Sequence, residues 1–177
     1  MNLKNYYNSL IIYDLISKLN IKNIYTIPKI TKIYLNIDFS KKSLIEKKRI
    51  IKIILFLNLI TNQQPFLTKK QKNNIFLKVK KNSIIGCKIT LRKEYIYIFL
   101  EKIIFYILPN LKKIKFNMIK INNIFNFKIK NLLNFFEFKN EFFQFKDLSF
   151  FSLNVSIQTN SKNNSHLFLL LNSFFFF

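Results

Sequence analysis

The sequence predicts an α+β fold, a mostly antiparallel sheet with helices packed on one face and the other face partly exposed. Period-two apolar alternation recurs around residues 30–39, 75–80, 86–93 and 153–157, as half-buried strands require. Apolar residues at helical spacing fill 5–19, 43–59 and 95–108. No internal repeat and no Gly/Pro/Ser linker divides the 177 residues, so a single domain over 1–177 is expected.

The first helix, 5–19, carries Leu10, Tyr13, Ile16 and Leu19 on one side. Pro28 then punctuates the chain before a strand at 30–39, where Ile33, Leu35, Ile37 and Phe39 alternate with Tyr34, Asn36 and Asp38. Ser43, with Glu46 three residues on, forms a capping box for a second helix running to about Leu59, with Lys47, Lys48, Arg49 and Lys52 on its outer side. Short strands are expected at 65–67, 75–80 and 86–93. A third helix at 95–108 is apolar on most of its surface, and Pro109 ends it. A strand is expected at 125–129, residues 135–151 read as aromatic and irregular, and Leu153, Val155 and Ile157 define a last strand. A short apolar segment, 167–177, closes the chain.

Composition narrows the function. The net charge of +22 on a half-hydrophobic chain of this size calls for a polyanionic partner, because self-repulsion otherwise destabilises the compact state. Lysine dominates, with Arg49 and Arg92 the only arginines, alongside abundant Phe, Ile and Asn. AT-rich codons supply that set, which points to an organellar or reduced genome and makes position more informative than counts. Catalytic signatures are absent: Gly86 is the single glycine, which rules out a glycine-rich phosphate loop, and the eight acids are scattered. A nucleic-acid-modifying enzyme would need clustered carboxylates or a His/Cys site. Glu94 and Glu101 read as partners of surface lysines. Cys87 reads as a small buried thiol and His166 as a solvated residue in a polar loop, so neither metal nor cofactor is expected. The apolar runs are interrupted by Lys52, Glu101 and Lys102, short of the length a bilayer span needs.

The block 62–93 is rich in Lys and Arg, contains no Asp or Glu, and keeps the strand alternation. Its parity turns Ile75, Leu77, Val79, Cys87, Ile89 and Leu91 inward and Lys78, Lys80, Lys88, Thr90 and Arg92 outward. Lys69, Lys70, Lys72, Lys78, Lys80 and Lys81 bracket Asn73 and Asn74, the expected loop tip. Such a surface meets phosphate, while Asn36, Gln63, Gln64, Thr68 and Thr90 add neutral groups able to read 2′-hydroxyls and base edges. The competing reading is a peripheral membrane protein with basic, amphipathic helices; residues 44–59 partly fit it, but lysines on strands do not.

These blocks resemble, in order, large-subunit ribosomal protein L-five, the 5S-rRNA-binding family of the central protuberance. The matching segments are NYY at 5–7, IPKITKIYLNI at 27–37, QQPFLTKKQK at 63–72, IIGCKITLR at 84–92 and LNVSIQTNSK at 153–162. Where the family carries glycines this chain has Asp38, Phe76 and Asn82, of which Asn82 accepts a left-handed backbone most readily. The resemblance implies a non-catalytic, single RNA-binding domain. Asn36, Gln63, Thr68, Lys69, Lys70, Lys88, Thr90 and Arg92 would face 5S rRNA or large-subunit rRNA. Lys72, Asn73, Asn74, Lys78, Lys80 and Lys81 would approach P-site tRNA. Small-subunit protein thirteen, across an intersubunit bridge, and neighbouring central-protuberance proteins complete the implied partners, with no membrane and no cofactor. Since the N-terminus, MNLKNYY, lacks a transit pattern, an organelle-encoded protein of a mitochondrial ribosome is expected, with a plastid as the alternative.

Overall fold

The computed structural model describes residues 3–39, 47–73, 80–110, 123–138, 142–161 and 163–174. Its helices are α1 (Leu3–Tyr6), α2 (Ile12–Leu19), α3 (Lys47–Thr61), α4 (Glu94–Lys102), α5 (Phe142–Phe145) and α6 (Asn164–Ser173). Its strands are β1 (Ile30–Asp38), β2 (Phe66–Lys69), β3 (Ile84–Leu91), β4 (Ile124–Ile129) and β5 (Leu153–Thr159). They form one antiparallel sheet in the order β2-β3-β1-β5-β4, so the α+β expectation holds. Ile33, Leu35 and Ile37 on β1, Cys87, Ile89 and Leu91 on β3, Phe125, Phe127 and Ile129 on β4, and Leu153, Val155 and Ile157 on β5 are all buried. Each such aliphatic or aromatic side chain contributes about 1.5–3 kcal/mol by leaving water. Two compact units divide the chain, one of Met1–Ile33, Leu91–Phe127 and Ser156–Phe177, the other of Tyr34–Thr90 and Lys128–Val155.

In the first unit the N-terminal helix buries a different stripe from the one its spacing suggests. Leu3, Tyr7, Ile11 and Leu15 are buried, whereas Leu10 and Tyr13 stand 57% and 69% exposed. A π-helical turn at Tyr7–Ile11 between α1 and α2 explains the difference. Four-residue spacing drifts by about 40° per step on a regular α-helix, and the wider π turn cancels part of that drift. Tyr7 donates its hydroxyl to the Pro28 carbonyl at 2.9 Å and stacks on Phe174, with ring centroids 5.8 Å apart. Burial pushes its phenol well above the ordinary range, so it serves as a neutral donor. The Glu101 carboxylate accepts the Leu3 amide at 2.6 Å, a contact its spacing did not suggest. Glu94 pairs with Lys4 at 2.6 Å, and that contact holds its carboxyl below the usual range. His166 lies half-buried on α6 rather than in a polar loop, because the apolar closing segment coils into a helix that begins before it.

In the second unit α3 buries Ile53, Phe56, Leu57 and Ile60. The irregular aromatic stretch is its cover: Phe56 lies 5.6 Å from Phe135, edge-on, and 4.8 Å from Phe138, which meets Phe145 at 5.0 Å. Of the expected basic outer side of this helix, Lys48 is exposed among the described side chains. Arg49 and Lys52 are half-buried, and Lys52 reaches Asp147 at 3.0 Å. Hydrogen bonding to Lys52, and its charge, hold the Asp147 carboxyl below the usual range. The side chain of Lys47, the Ser43–Glu46 capping box and the expected strand residues 75–79 lie outside the described residues, while Lys80 precedes a turn and is not in a strand. Among the described residues no helix is long and apolar enough to cross a membrane.

Two backbone positions generate predictions. A Cβ on Gly86 would sit 2.6 Å from the Ile37 carbonyl oxygen of β1 and 3.1 Å from the Thr68 hydroxyl of β2. Gly86→Ala is expected to cost about 1–3 kcal/mol, read as a lower denaturation midpoint; an unchanged midpoint would mean that the strands part freely there. Lys93, leading into α4, holds φ 54° and ψ −125°, a region that side chains disfavour. Lys93→Gly is expected to raise stability by about 1 kcal/mol, and a lowered midpoint would show that no strain resides there.

Candidate nucleic-acid interface

The second unit presents a β2–β3 hairpin whose register places Phe66 opposite Lys88, Leu67 opposite Cys87 and Thr68 opposite Gly86, with an irregularity between Thr68 and Lys69. Opposed residues share a face, so Phe66, Thr68, Lys88 and Thr90 look outward together. The burial pattern agrees: Cys87, Ile89 and Leu91 are sealed while Lys88 is exposed and Thr90 half-exposed. Burial pushes the Cys87 thiol up to about 11, leaving it protonated and inert at neutral pH. On the adjacent strand β1, the Phe39 amide donates to the Ile85 carbonyl at 2.8 Å. Continued along antiparallel strands, that register sets half-buried Asn36 across from Lys88.

The basic loop is tied at its neck. The Lys70 amide donates to the Ser83 carbonyl at 3.0 Å and the Asn82 amide to the Lys70 carbonyl at 2.9 Å. Asn73 was expected at the tip. Instead its side-chain oxygen accepts the Lys81 amide at 2.6 Å, so it closes the loop at its base. Asn82 adopts φ 65°, the left-handed conformation expected of a residue standing in a glycine position. Lys69, Lys72, Lys80 and Lys81 are exposed and Lys70 half-exposed, whereas Asn74 and Lys78 lie outside the described residues. Gln63 follows α3 half-exposed, its amide bonded to the Thr61 hydroxyl at 3.3 Å. Arg92 is exposed just past β3 and belongs to the first unit.

Two outward residues were missed by sequence reasoning. Phe66 is 67% exposed, and the Lys88 ammonium sits 5.4 Å from its ring centroid, a cation–π contact that only the hairpin register creates. Asn154 on β5 donates to the Asp38 carboxylate at 3.1 Å. Its polar parity was legible, but not its placement next to β1. Several acids are engaged in ion pairs, Lys4–Glu94, Lys18–Asp14 and Lys52–Asp147. Among the described residues no group of His, Cys, Asp and Glu could hold a metal ion.

Comparison with known proteins agrees with this geometry. Residues 84–176 match the model of the C-terminus of the ribosomal L5 family. The chain is 34% identical over 175 residues to the large ribosomal subunit protein uL5m of Reclinomonas americana, covering 97% of this chain and 94% of that one. It is 29% identical over 177 residues to uL5 of Blochmanniella floridana (98% and 90% covered) and 31% identical over 179 residues to uL5 of Wigglesworthia glossinidia brevipalpis (99% and 98% covered). With the motifs, the fold and near-full-length similarity in agreement, the chain belongs to the L5 family of large-subunit ribosomal proteins.

Proposed function

We propose that this chain is a structural, non-catalytic constituent of the large subunit of an organellar ribosome, acting as one rRNA-binding domain. Its ligand is 5S rRNA, large-subunit rRNA or both, held in the central protuberance. The observation that carries the reading is the sidedness of the hairpin: Lys88 and Thr90 are turned outward beside Thr68 while Cys87, Ile89 and Leu91 are sealed. A sheet face so built offers charge to phosphate and hydroxyl and amide groups to ribose and bases. Asn36, Gln63, Thr68, Lys69, Lys70, Lys88, Thr90 and Arg92 make the rRNA contacts in this reading. Arg92 supplies a bidentate phosphate contact that lysine cannot imitate.

The loop bearing Lys72, Asn73, Asn74, Lys78, Lys80 and Lys81 extends toward P-site tRNA, and another surface meets small-subunit protein thirteen across the bridge. Similarity to the uL5m of Reclinomonas supports a mitochondrial ribosome over a plastid one. The membrane reading loses support from the half-buried Arg49 and Lys52, which leave α3 without a continuous basic face.

Two experiments test this reading. Lys88→Ala combined with Arg92→Ala is expected to weaken 5S rRNA binding and to flatten its log–log salt dependence by about 1.5, one contact's worth for each residue. Equal affinity and slope, or a collapsed thermal melt, would overturn the assignment. Alanines at Lys78, Lys80 and Lys81 are expected to leave the protein in assembled subunits and to weaken P-site tRNA binding. Subunits lacking the variant would show that the loop anchors the protein instead.

A further inference from the structure

We propose that the second unit carries a pocket for one unstacked guanine nucleotide of its RNA partner. Asp38 at the end of β1, Arg49 on α3, Lys128 on β4 and Phe150 in the turn before β5 line a cavity of about 560 Å³. That volume lies in the range of small-ligand pockets.

Its walls offer the three kinds of contact a splayed-out nucleotide needs. Phe150 is 87% exposed, a ring held in water beside the opening and available for stacking. Lys128 is exposed and Arg49 half-buried, two cations for one phosphate. Asp38 supplies a carboxylate, which only accepts hydrogen bonds, and the Asn154 side chain steadies it at 3.1 Å.

That carboxylate selects the base. Guanine alone presents two adjacent donors, N1–H and the N2 amino group, on its pairing edge; adenine, cytosine and uracil each set a donor beside an acceptor. In a duplex this edge is occupied, so the pocket takes a base from a loop, bulge or single strand. Asp38 shares the outward parity of Asn36, which makes the pocket continuous with the proposed rRNA face. The inference rests on that reading for the identity of the polymer, while the pocket's chemistry stands by itself.

Fluorescence anisotropy of the full chain with labelled 5′-UUGUU-3′ and 5′-UUAUU-3′ tests the proposal, with free GMP as competitor. The guanine strand is expected to bind several-fold tighter. Asp38→Asn should abolish that preference, and Phe150→Ala should weaken both strands by about tenfold. Both side chains are exposed, so the variants are expected to melt as the parent does. Equal binding of the two strands, or a preference that survives Asp38→Asn, would overturn the pocket. Competition by GMP as strong as that of the unlabelled strand would overturn its assignment to RNA. The Lys88→Ala, Arg92→Ala protein separates this inference from the broader one: it should lose 5S rRNA affinity yet keep the guanine preference. Retained 5S rRNA affinity with the preference intact would sink only the broader reading.

Discussion

The backbone of β3 lies against β1 at Gly86, where a methyl group would meet the Ile37 carbonyl oxygen at 2.6 Å. This approach fixes the register of the central strands, and register decides sidedness. A slip of one residue would exchange Lys88 and Thr90 for Cys87, Ile89 and Leu91, burying a cation and exposing the core. The chain's single glycine therefore stands where the candidate interface most depends on it. The neighbouring β2–β3 pairing sets Phe66 opposite Lys88 and Thr68 opposite Gly86, and on the other side of β1 Asn154 of β5 meets Asp38.

Electrostatics and packing divide the work between regions. Acids found in ion pairs support helices: Glu94 holds Lys4, Asp14 holds Lys18 and Asp147 holds Lys52. All are at least partly exposed, so solvent screening keeps the contribution of each pair small. Phenylalanine has a comparable division of labour. Phe56, Phe135, Phe138 and Phe145 close the core over α3, while Phe66 and Phe150 stand in solvent beside cations. A codon-driven excess of one residue type thus fills two roles that only position distinguishes.

Much of the architecture was legible because period-two alternation is a local property. β1, β4 and β5 fall within a residue or two of their expected bounds, and the inward set on β3 is the one the alternation implies. Lys88 is exposed for the same reason, while the other described candidate lysines are exposed or half-exposed at the end of β2 and in the loop that follows it. The N-terminal helix was misread because a π turn, invisible to a 3.6-residue count, rotates its buried stripe to Leu3, Tyr7, Ile11 and Leu15. Lys52 was misplaced because its partner, Asp147, lies 95 residues away in a segment without periodicity.

The order of residues along the chain was enough to tell which positions are apolar, which strands they form and that one hairpin face is cationic; near-neighbour sterics and side-chain alternation suffice for that. Family membership was legible in the same way, from contiguous motifs such as IIGCKITLR. Folding in three dimensions was needed to set the order β2-β3-β1-β5-β4, the Phe66–Lys88 contact, the closing role of Asn73 and the gathering of Asp38, Arg49, Lys128 and Phe150 around one cavity. Each of these joins residues separated along the chain, and such contacts are chosen by the packing of the whole core rather than by any local preference.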